Sequence, residues 1–305
     1  MSTNSDINNN NKIINKLPSK IQHFLILARF DRPVGYMLLW IPTLWGLLAS
    51  SVDQNINFKD TIFYIILLLI GSIVMRGAGC TWNDIIDIEY DKKVTRTATR
   101  PIASGNITKA QAFIFLIIQL LIGLTILLFL PINSIIVAII SIIPVVIYPF
   151  MKRFTYYSQA WLGLTFNWGI WVGWFIFSND NLIIPLLLHI TGVFWTLSYD
   201  TIYAHQDKTD DILIGVKSTA LKFGSFTKLF LFIFYTIFIV IFYIVIKFLS
   251  NEIISLIPIF ICIPLIIYYI YILDINNPKN CLNIFKANIY IGLILTLSFL
   301  FNLKY

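Results

Sequence analysis

Cysteine and histidine are scarce in this chain, which has three of each among its 305 residues. The cysteines are Cys80, Cys262 and Cys281, and the histidines are His23, His189 and His205. Neither set has the spacing of a metal site, so a zinc or haem centre has little support. We interpret the cysteines as packing residues and the histidines as structural ones.

Charge is also scarce. Only 12% of the residues are charged and 58% are apolar, whereas about half of a soluble domain is apolar. Apolar stretches of about 20 residues, the length that crosses a bilayer, recur from end to end, which excludes a water-soluble fold. We predict nine spans: 23–50, 60–80, 109–128, 131–150, 158–178, 182–200, 226–247, 252–273 and 285–302. The fold class is therefore all-α, a polytopic protein of the lipid bilayer, with one transmembrane domain over residues 23–305.

Residues 1–22 are different, because they are rich in Asn, Ser and Lys. They cannot bury enough apolar surface to fold, so we predict a disordered polar tail. The tail has no Arg and no hydrophobic run, which argues against a transit peptide and against a cleaved signal peptide. We expect the first span to remain in the mature protein.

The basic residues are distributed unequally between the two sides of the predicted topology. If the N-terminus is inside, only Lys59, Lys247 and Lys304 fall in outer segments, and Arg76 lies near the end of its span. The other 18 of the 22 Lys and Arg residues fall in inner segments, as the positive-inside rule requires of the cytoplasmic side. The net charge of +7 is mostly this asymmetry, so nucleic-acid binding is not needed to explain it.

Eight of the fifteen acidic residues lie in two long inner segments, 81–108 and 200–225. In the first, Asn83, Asp87 and Asp91 are four residues apart, and residues with this spacing share one face of a helix. The second has a similar series that continues the sixth span, formed by Asp200, Tyr203, Asp207 and Asp211.

Aligned carboxylates repel one another, so a cation has to offset them. Lysine or arginine is one alternative, but we expect a hard divalent ion with oxygen ligands, and Mg²⁺ fits best. Mg²⁺ is usually held by one or two carboxylates together with substrate phosphate oxygens. The pair of clusters therefore predicts a magnesium-diphosphate site, and the remaining alternative is two solvated helix extensions.

Basic residues follow each acidic cluster: Arg96 and Arg100 before Pro101, and Lys217 after Gly215. Such side chains can neutralise the charge that develops on a departing diphosphate. The alternative is that these basic residues only reflect the general excess of Lys and Arg on the inner side of the membrane.

These motifs resemble those of the UbiA family of membrane prenyltransferases, over most of the chain from about residue 24. The segment Asn83 to Asp91 resembles the family's first signature, Arg96 to Pro101 its following loop, and Asp207 to Asp211 its second signature. The resemblance implies nine helices around a central cavity, with a cap on the cytoplasmic side. It also implies that Mg²⁺ and diphosphate are positioned by Asn83, Asp87, Asp91, Asp207 and Asp211.

Two further segments, Asp31 to Trp45 and Tyr199 to Ala204, resemble the branch of the family that prenylates 4-hydroxybenzoate in ubiquinone synthesis. The implied reaction joins the polyprenyl group of polyprenyl diphosphate to the ring carbon beside the phenol oxygen and releases diphosphate. Arg153 resembles a pocket arginine for the benzoate carboxylate. The expected catalytic residues are Asp87, Asp91, Asp207, Asp211, Arg96 and Arg100, and the expected substrate-binding residues are Arg153, Lys217, Asp200 and Tyr203.

Aromatic residues of the fifth and sixth spans could shield an allylic cation through their ring faces, although core packing and interface anchoring are alternatives. They include Phe166, Trp168, Trp171, Trp174 and Trp195.

Other acceptors remain open, namely a haem precursor, homogentisate or a naphthoate. From another class, an ion-coupled transporter is the main rival, but its acidic residues should lie in mid-span rather than at span ends. A purely structural protein leaves both aspartate clusters unexplained. We expect a bacterial cell inner membrane, with the mitochondrial inner membrane as the alternative and protein partners undetermined.

Overall fold

The computed structural model describes residues 14–304, and within this range it is helical without a β-strand apart from one isolated bridge between Asn57 and Lys304. The first half contains α1 Ser19–Leu27, α2 Val34–Asp53, α3 Phe58–Ile86, α4 Ile88–Asp91, α5 Lys109–Leu127, α6 Ile132–Ile140 and α7 Ile142–Phe154. The second half contains α8 Ser158–Phe166, α9 Gly169–Trp174, α10 Ile183–Ala204, α11 Lys208–Ile214, α12 Thr219–Phe223, α13 Thr227–Leu249, α14 Ile257–Ile272 and α15 Pro278–Leu300. Three 3₁₀ turns, Ile14–Lys16, Gly224–Phe226 and Ile253–Leu256, complete it.

Eight helical segments in this part of the chain are long and apolar enough to cross a membrane. They are Val34–Asp53, Phe58–Ile86, Lys109–Leu127, Ile132–Phe154, Ile183–Ala204, Thr219–Leu249, Ile253–Ile272 and Pro278–Leu300. The prediction of an all-α, polytopic membrane protein is confirmed.

The fifth predicted span, 158–178, is not one helix. It consists of α8 and α9, which are separated at Asn167 and Trp168. The Asn167 side chain donates to the carbonyl oxygen of Gly163 at 2.7 Å and to Thr196 Oγ1 at 2.9 Å. A break of this kind is tolerated at membrane depth when protein surrounds it, and α8 and α9 pack against α2, α6, α7 and α10.

The first predicted span, 23–50, was placed too early. The membrane helix α2 begins at Val34, and residues 28–33 form a turn after α1 in which Arg29 has a φ of 61°. Arg29 of this turn binds Asp84 in the site, as described below. Of the predicted polar tail, residues 1–13 lie outside the described residues, while the rest includes Ile14–Lys16 and the start of α1.

The bundle packs around α2, most of whose second half is buried. Glycines allow α9 to approach it closely, since a Cβ added at Gly46 would lie 2.1 Å from the carbonyl oxygen of Ile170. Large rings fill the centre, where Trp45 stacks on Trp195 at 5.1 Å between ring centroids and Trp195 stacks on Phe238 at 5.9 Å. This core leaves the space beside α3 and α5 for the cavity.

A smaller apolar cluster fixes the segments that cap the bundle. Leu27 of α1, Ile85 of α3, Ala112 of α5 and the loop residues Ile102 and Ile107 pack together in it. The loop after the first acidic motif is thereby held over the end of α3.

Candidate active site

A cavity of about 1590 Å³ lies beside α3 and opens toward the capped end of the bundle. Its polar end is lined by charged and polar residues that include Arg29, Arg32, Asn83, Asp84, Arg96, Arg100, Asp200, Tyr203, Asp207 and Asp210. Its wall is apolar and is formed largely by α5, α6 and α7, with Leu120, Leu124, Ile139 and Ile142 among the lining side chains. Several of these wall residues are exposed on the bundle surface, so the apolar part of the cavity reaches the side that faces lipid.

The sequence predicted that the first acidic motif lies on one continuous helix. In the structure it is divided between two helices. α3 ends at Ile86 and α4 begins at Ile88, with Asp87 between them. Hydrogen bonds from Asp87 N to Asn83 O at 2.9 Å and from Asp91 N to Asp87 O at 2.8 Å keep the i to i+4 relation across this junction.

Asp84 is held by two arginines. Arg29 Nη2 lies 2.9 Å from both of its carboxylate oxygens, and Arg100 Nη1 lies 3.1 Å from Oδ1. Arg100 also donates to Asp91, at 3.0 Å to Oδ2. Asp84 is therefore a buried junction between the turn before α2, the end of α3 and the capping loop.

Asp87 has no exposed surface and is paired with two bases at the end of α7. Lys152 Nζ lies 2.5 Å from Oδ2, and Arg153 Nη2 lies 3.3 Å from Oδ1. Arg153 also donates to the carbonyl oxygen of Ile86 at 3.3 Å, and its guanidinium lies 4.9 Å from the centroid of the Tyr90 ring.

The capping loop connects the two acidic motifs. Arg96 donates to both carboxylate oxygens of Asp207, with Nε 2.7 Å from Oδ1, and to the Tyr203 hydroxyl at 3.0 Å. The backbone N–H of Thr95 donates to Asp210 Oδ2 at 3.1 Å. The two acidic clusters, more than 100 residues apart in sequence, thus meet at one end of the bundle, as predicted.

The second motif is also divided between two helices. Asp200 and Tyr203 lie on α10, which ends at Ala204, whereas Asp211 lies on α11, whose N-cap is Asp207. Burial, together with the negative charge of Asp207, raises the pKa of the Asp211 carboxyl to about 7, against the opposing effect of Lys152 and Arg96. Burial also raises the pKa of Asp91, while Arg100 lowers it.

The predicted metal ligands are only partly assembled. Asn83 and Asp207 line the cavity, whereas Asp87, Asp91 and Asp211 do not. Within residues 14–304, no three His, Cys, Asp or Glu side chains are close enough to one another to hold a metal ion. Contrary to the expectation of carboxylates without a base, three of the four predicted carboxylate ligands are bonded to arginine or lysine from another element.

The donor set nevertheless fits a magnesium-diphosphate group. It consists of carboxylate and amide oxygens, the ligands that Mg²⁺ takes, and Mg²⁺ needs only one or two of them beside phosphate oxygens. Three basic side chains, Arg96, Arg100 and Lys152, are placed among the same carboxylates.

Two of the predicted substrate-binding residues lie outside the cavity lining. Arg153 is engaged by Asp87, and Lys217 Nζ donates to the carbonyl oxygen of Phe154 at 3.2 Å. The other two, Asp200 and Tyr203, line the cavity. Arg153 Nε is buried without a hydrogen-bond partner among the described residues, but Arg153 does not line the cavity, and its role in binding benzoate stays a prediction from the resemblance.

Sequence reasoning missed two basic residues of the site. Lys152 was counted only among the basic residues of the inner side, although it closely follows the fourth predicted span, 131–150, and so lies at the end of a membrane helix. Arg76 was set aside, yet it lines the cavity about 15 Å below the end of α3, at 1.5 Å per residue. An arginine at that depth in an apolar helix was itself a signal of function.

Of the aromatic residues considered for cation shielding, Phe166 and Trp168 line the cavity. Trp174 and Trp195 are fully buried in the core, and Trp171 stacks on Phe175 at 6.3 Å. Core packing explains Trp174 and Trp195 without a catalytic role.

A scan against family models matches residues 39–294 to the UbiA prenyltransferase family. The chain belongs to this family. The matched range contains both acidic motifs, the capping loop and most of the cavity wall.

Relatives and solved structures of the family agree with this assignment. The chain is 42% identical over 292 residues to the mitochondrial 4-hydroxybenzoate polyprenyltransferase of Homo sapiens, covering 94% of this chain and 76% of the relative. The apo structure of a UbiA homologue from Aeropyrum pernix K1 matches with a TM-score of 0.73 at 18% identity, covering 88% of this chain and 98% of that chain. A UbiA homologue from Archaeoglobus fulgidus bound to GPP and Mg²⁺ matches with a TM-score of 0.64 at 18% identity, covering 92% and 99%.

The chain is an integral membrane protein. The similar 4-hydroxybenzoate polyprenyltransferases of Homo sapiens and Arabidopsis thaliana are mitochondrial proteins, so they give no support to the predicted bacterial inner membrane.

Proposed function

We propose that this chain is a Mg²⁺-dependent 4-hydroxybenzoate polyprenyltransferase. The observation that carries the proposal is the cavity, which joins a polar end containing both acidic motifs to an apolar wall that reaches lipid. A polyprenyl diphosphate has the same division into a charged head and an insoluble tail. The proposed acceptor is that of the relatives that are at least 40% identical.

The diphosphate would lie at the polar end, where Asn83 and Asp207 line the cavity and Arg100, also a lining residue, binds Asp91. The five predicted ligands, Asn83, Asp87, Asp91, Asp207 and Asp211, would hold Mg²⁺, which when bound neutralises charge on the diphosphate oxygens and makes the diphosphate a better leaving group. Arg96 and Arg100 line the same end and supply further positive charge. Fixed donors of this kind stabilise charge that develops in a transition state.

Loss of diphosphate leaves an allylic cation, and the ring carbon beside the phenol oxygen of the acceptor attacks it. A base then removes the proton from that ring carbon, which restores the aromatic ring. The wall of α5, α6 and α7 excludes water from that cation and holds the tail. Phe166 and Trp168, which line the cavity, present aromatic rings beside the same space, and ring faces attract cations.

We propose Arg76 as the residue that binds the acceptor carboxylate. Its Nε is buried without a hydrogen-bond partner among the described residues, and its guanidinium lies 5.0 Å from the centroid of the Phe166 ring. A buried donor without a partner is costly, and a carboxylate would satisfy it. Gly35 leaves room at this place, since a Cβ there would lie 2.6 Å from Arg76 Nε.

The test is transfer itself. Membranes that contain the chain are incubated with Mg²⁺, radiolabelled 4-hydroxybenzoate and prenyl diphosphates of several lengths, and the lipid extract is counted. We expect a labelled, lipid-soluble product that disappears when EDTA is added. Labelled extract that forms only with homogentisate or a naphthoate would transfer the proposal to another acceptor, and accumulation of ions without product would favour a transporter.

A further inference from the structure

We propose that Lys152 is a built-in counter-cation for Asp87, and that it leaves this carboxylate only when metal and diphosphate bind together, so that the two ligands bind cooperatively. The inference rests on the proposed function, because it concerns the same metal-diphosphate site.

The starting observation is that Lys152 is bonded where a metal cation is expected. Its Nζ lies 2.5 Å from Asp87 Oδ2, and the Asp87 side chain has no exposed surface. Its charge also acts on Asp91 and Asp211.

The ammonium group has a physical purpose in the absence of metal. A buried carboxylate without a counter-ion is strongly destabilising, so Asp87 needs a positive partner before any ligand arrives. The same ammonium, however, competes with a divalent cation for the same oxygen. Metal alone should consequently bind weakly to this site.

Lys152 is better suited to change partner than its neighbour. Arg153 has a further hydrogen bond, to the carbonyl oxygen of Ile86, and its guanidinium lies 4.9 Å from the centroid of the Tyr90 ring, compared with 5.8 Å for Lys152 Nζ. The Lys152 side chain has no second hydrogen bond among the described residues, and its flexible stem carries three donors. A diphosphate offers those donors new oxygens, and Asp87 is then released to the metal.

This exchange has a thermodynamic consequence. If diphosphate removes Lys152 from Asp87, it strengthens metal binding, and by reciprocity metal strengthens diphosphate binding by the same factor. Such coupling protects Asp87 from unproductive metal binding and admits metal together with substrate. A merely structural ion pair would stabilise the fold without linking the two ligands.

The experiment measures Mn²⁺ binding to the purified full-length protein in detergent, by the electron paramagnetic resonance signal of free Mn²⁺, with and without inorganic diphosphate. The variants are Lys152→Met and Lys152→Gln, both checked for a monodisperse peak in size exclusion. Lys222→Met is the matched control, because Lys222 is exposed and its Nζ lies 5.8 Å from the centroid of the Tyr156 ring. Mn²⁺ and diphosphate also associate in solution, so a protein-free titration measures that association and the binding constants of every variant are corrected for it.

Without diphosphate, we expect either Lys152 variant to bind Mn²⁺ about tenfold more tightly than the wild type, because typical couplings between two ligands are about 5- to 150-fold. Adding diphosphate should then increase the Mn²⁺ affinity of these variants only slightly. Lys222→Met should behave as the wild type. Unchanged or weaker Mn²⁺ binding in folded Lys152 variants would overturn the proposal even if the wild type transfers prenyl groups. Conversely, the Lys152 variants could bind Mn²⁺ more tightly, as expected, while the wild type forms no prenylated product. That outcome would support this inference and refute the proposed function.

Discussion

Single residues of the site differ in whether they already have a partner. Asp84, Asp87, Asp91 and Asp207 are each bonded to arginine or lysine, whereas no hydrogen bond or ion pair reaches the Asp211 side chain from the described residues. Each paired carboxylate can change its partner from a basic side chain to a metal ion. Asp211 has no such basic partner, so only a bound cation would neutralise its charge.

Asp87→Asn and Asp207→Asn should each lower prenyl transfer by roughly 100-fold or more, the scale on which loss of one transition-state electrostatic contact acts. Asparagine keeps the shape of the side chain and removes its charge, so the protein should remain folded. The measurement is product formation in membranes at equal protein content. Asp60→Asn, at the exposed start of α3, is the control and should keep normal activity. Normal activity in both site variants would end the metal model.

Arg76→Gln should raise the KM for 4-hydroxybenzoate about tenfold or more, since a hydrogen bond to a charged group contributes about 1.5–3 kcal/mol. The KM for the prenyl diphosphate should change little. Arg153→Ala, which removes a partner of Asp87, should instead change the dependence on Mg²⁺. If Arg153→Ala raises the KM for the aromatic acid alone, the pocket arginine implied by the family resemblance is the correct one.

The stability of the metal-free protein should depend on pH through Asp211. Its pKa is raised to about 7 in the folded protein from an ordinary 3.8. A raised carboxyl pKa stabilises the fold while the group is protonated, so this contribution is complete below pH 4 and is lost as the pH rises through 7. Without divalent ions, the Tm in detergent should therefore fall between pH 4 and pH 7 and level off above pH 7, and Mg²⁺ with diphosphate should raise it more at pH 8 than at pH 4. Asp211→Asn should flatten this dependence, and an equal slope in wild type and variant would contradict it.

The residues of the site could be predicted further than their contacts. The sequence predicted two clusters, formed by Asn83, Asp87 and Asp91 and by Asp207 and Asp211, because a spacing of four residues is a local property of the chain. The pairing of Asp207 with Arg96, or of Asp87 with Lys152, depends on how distant elements meet, and no local pattern contains it. Arg76 was missed for another reason, since it was read as a span-end charge.

Among the elements, close approach of α2 and α9 depends on small residues. Gly46→Ala places a Cβ 2.1 Å from the carbonyl oxygen of Ile170, so the two helices have to separate. Forced overpacking of this kind costs about 1–3 kcal/mol, and we expect a clear fall in Tm in detergent. Gly79→Ala in α3 is the matched control, because nothing lies within 4 Å of its added Cβ. Equal Tm values for the two variants would disprove the close contact.

The elements themselves were mostly predictable, because a run of about 20 apolar residues has few structures available in a bilayer. The break at Asn167 was not, since residues 158–178 are apolar almost throughout and the break is stabilised by Thr196 of another helix. The late start of α2 had a signal that was not used. Arg29, Asp31, Arg32 and Pro33 together mark a turn rather than the interior of a membrane helix.

For the whole molecule, orientation is the property that decides which compartment supplies the diphosphate and the acceptor. α3 has 29 residues and is about 43 Å long at 1.5 Å per residue, which exceeds a hydrocarbon core of about 30 Å. Lys59 and Lys93, near or beyond its two ends and both exposed, should lie on opposite sides of the membrane. Lys93 belongs to the side that carries the site.

Single-cysteine labelling tests this orientation. The native Cys80, Cys262 and Cys281 are buried, so a membrane-impermeant maleimide should leave them unlabelled. In sealed vesicles of known orientation, Lys93→Cys and Lys222→Cys should react from the same side, the one that the positive-inside rule assigns to the cytoplasm. Lys59→Cys should react only from the other side. Labelling of Lys59→Cys and Lys93→Cys from the same side would refute the assignment of α3 as a span. If instead each of the three variants reacts from the side opposite to the one expected, the fold is retained and the site lies in the other compartment.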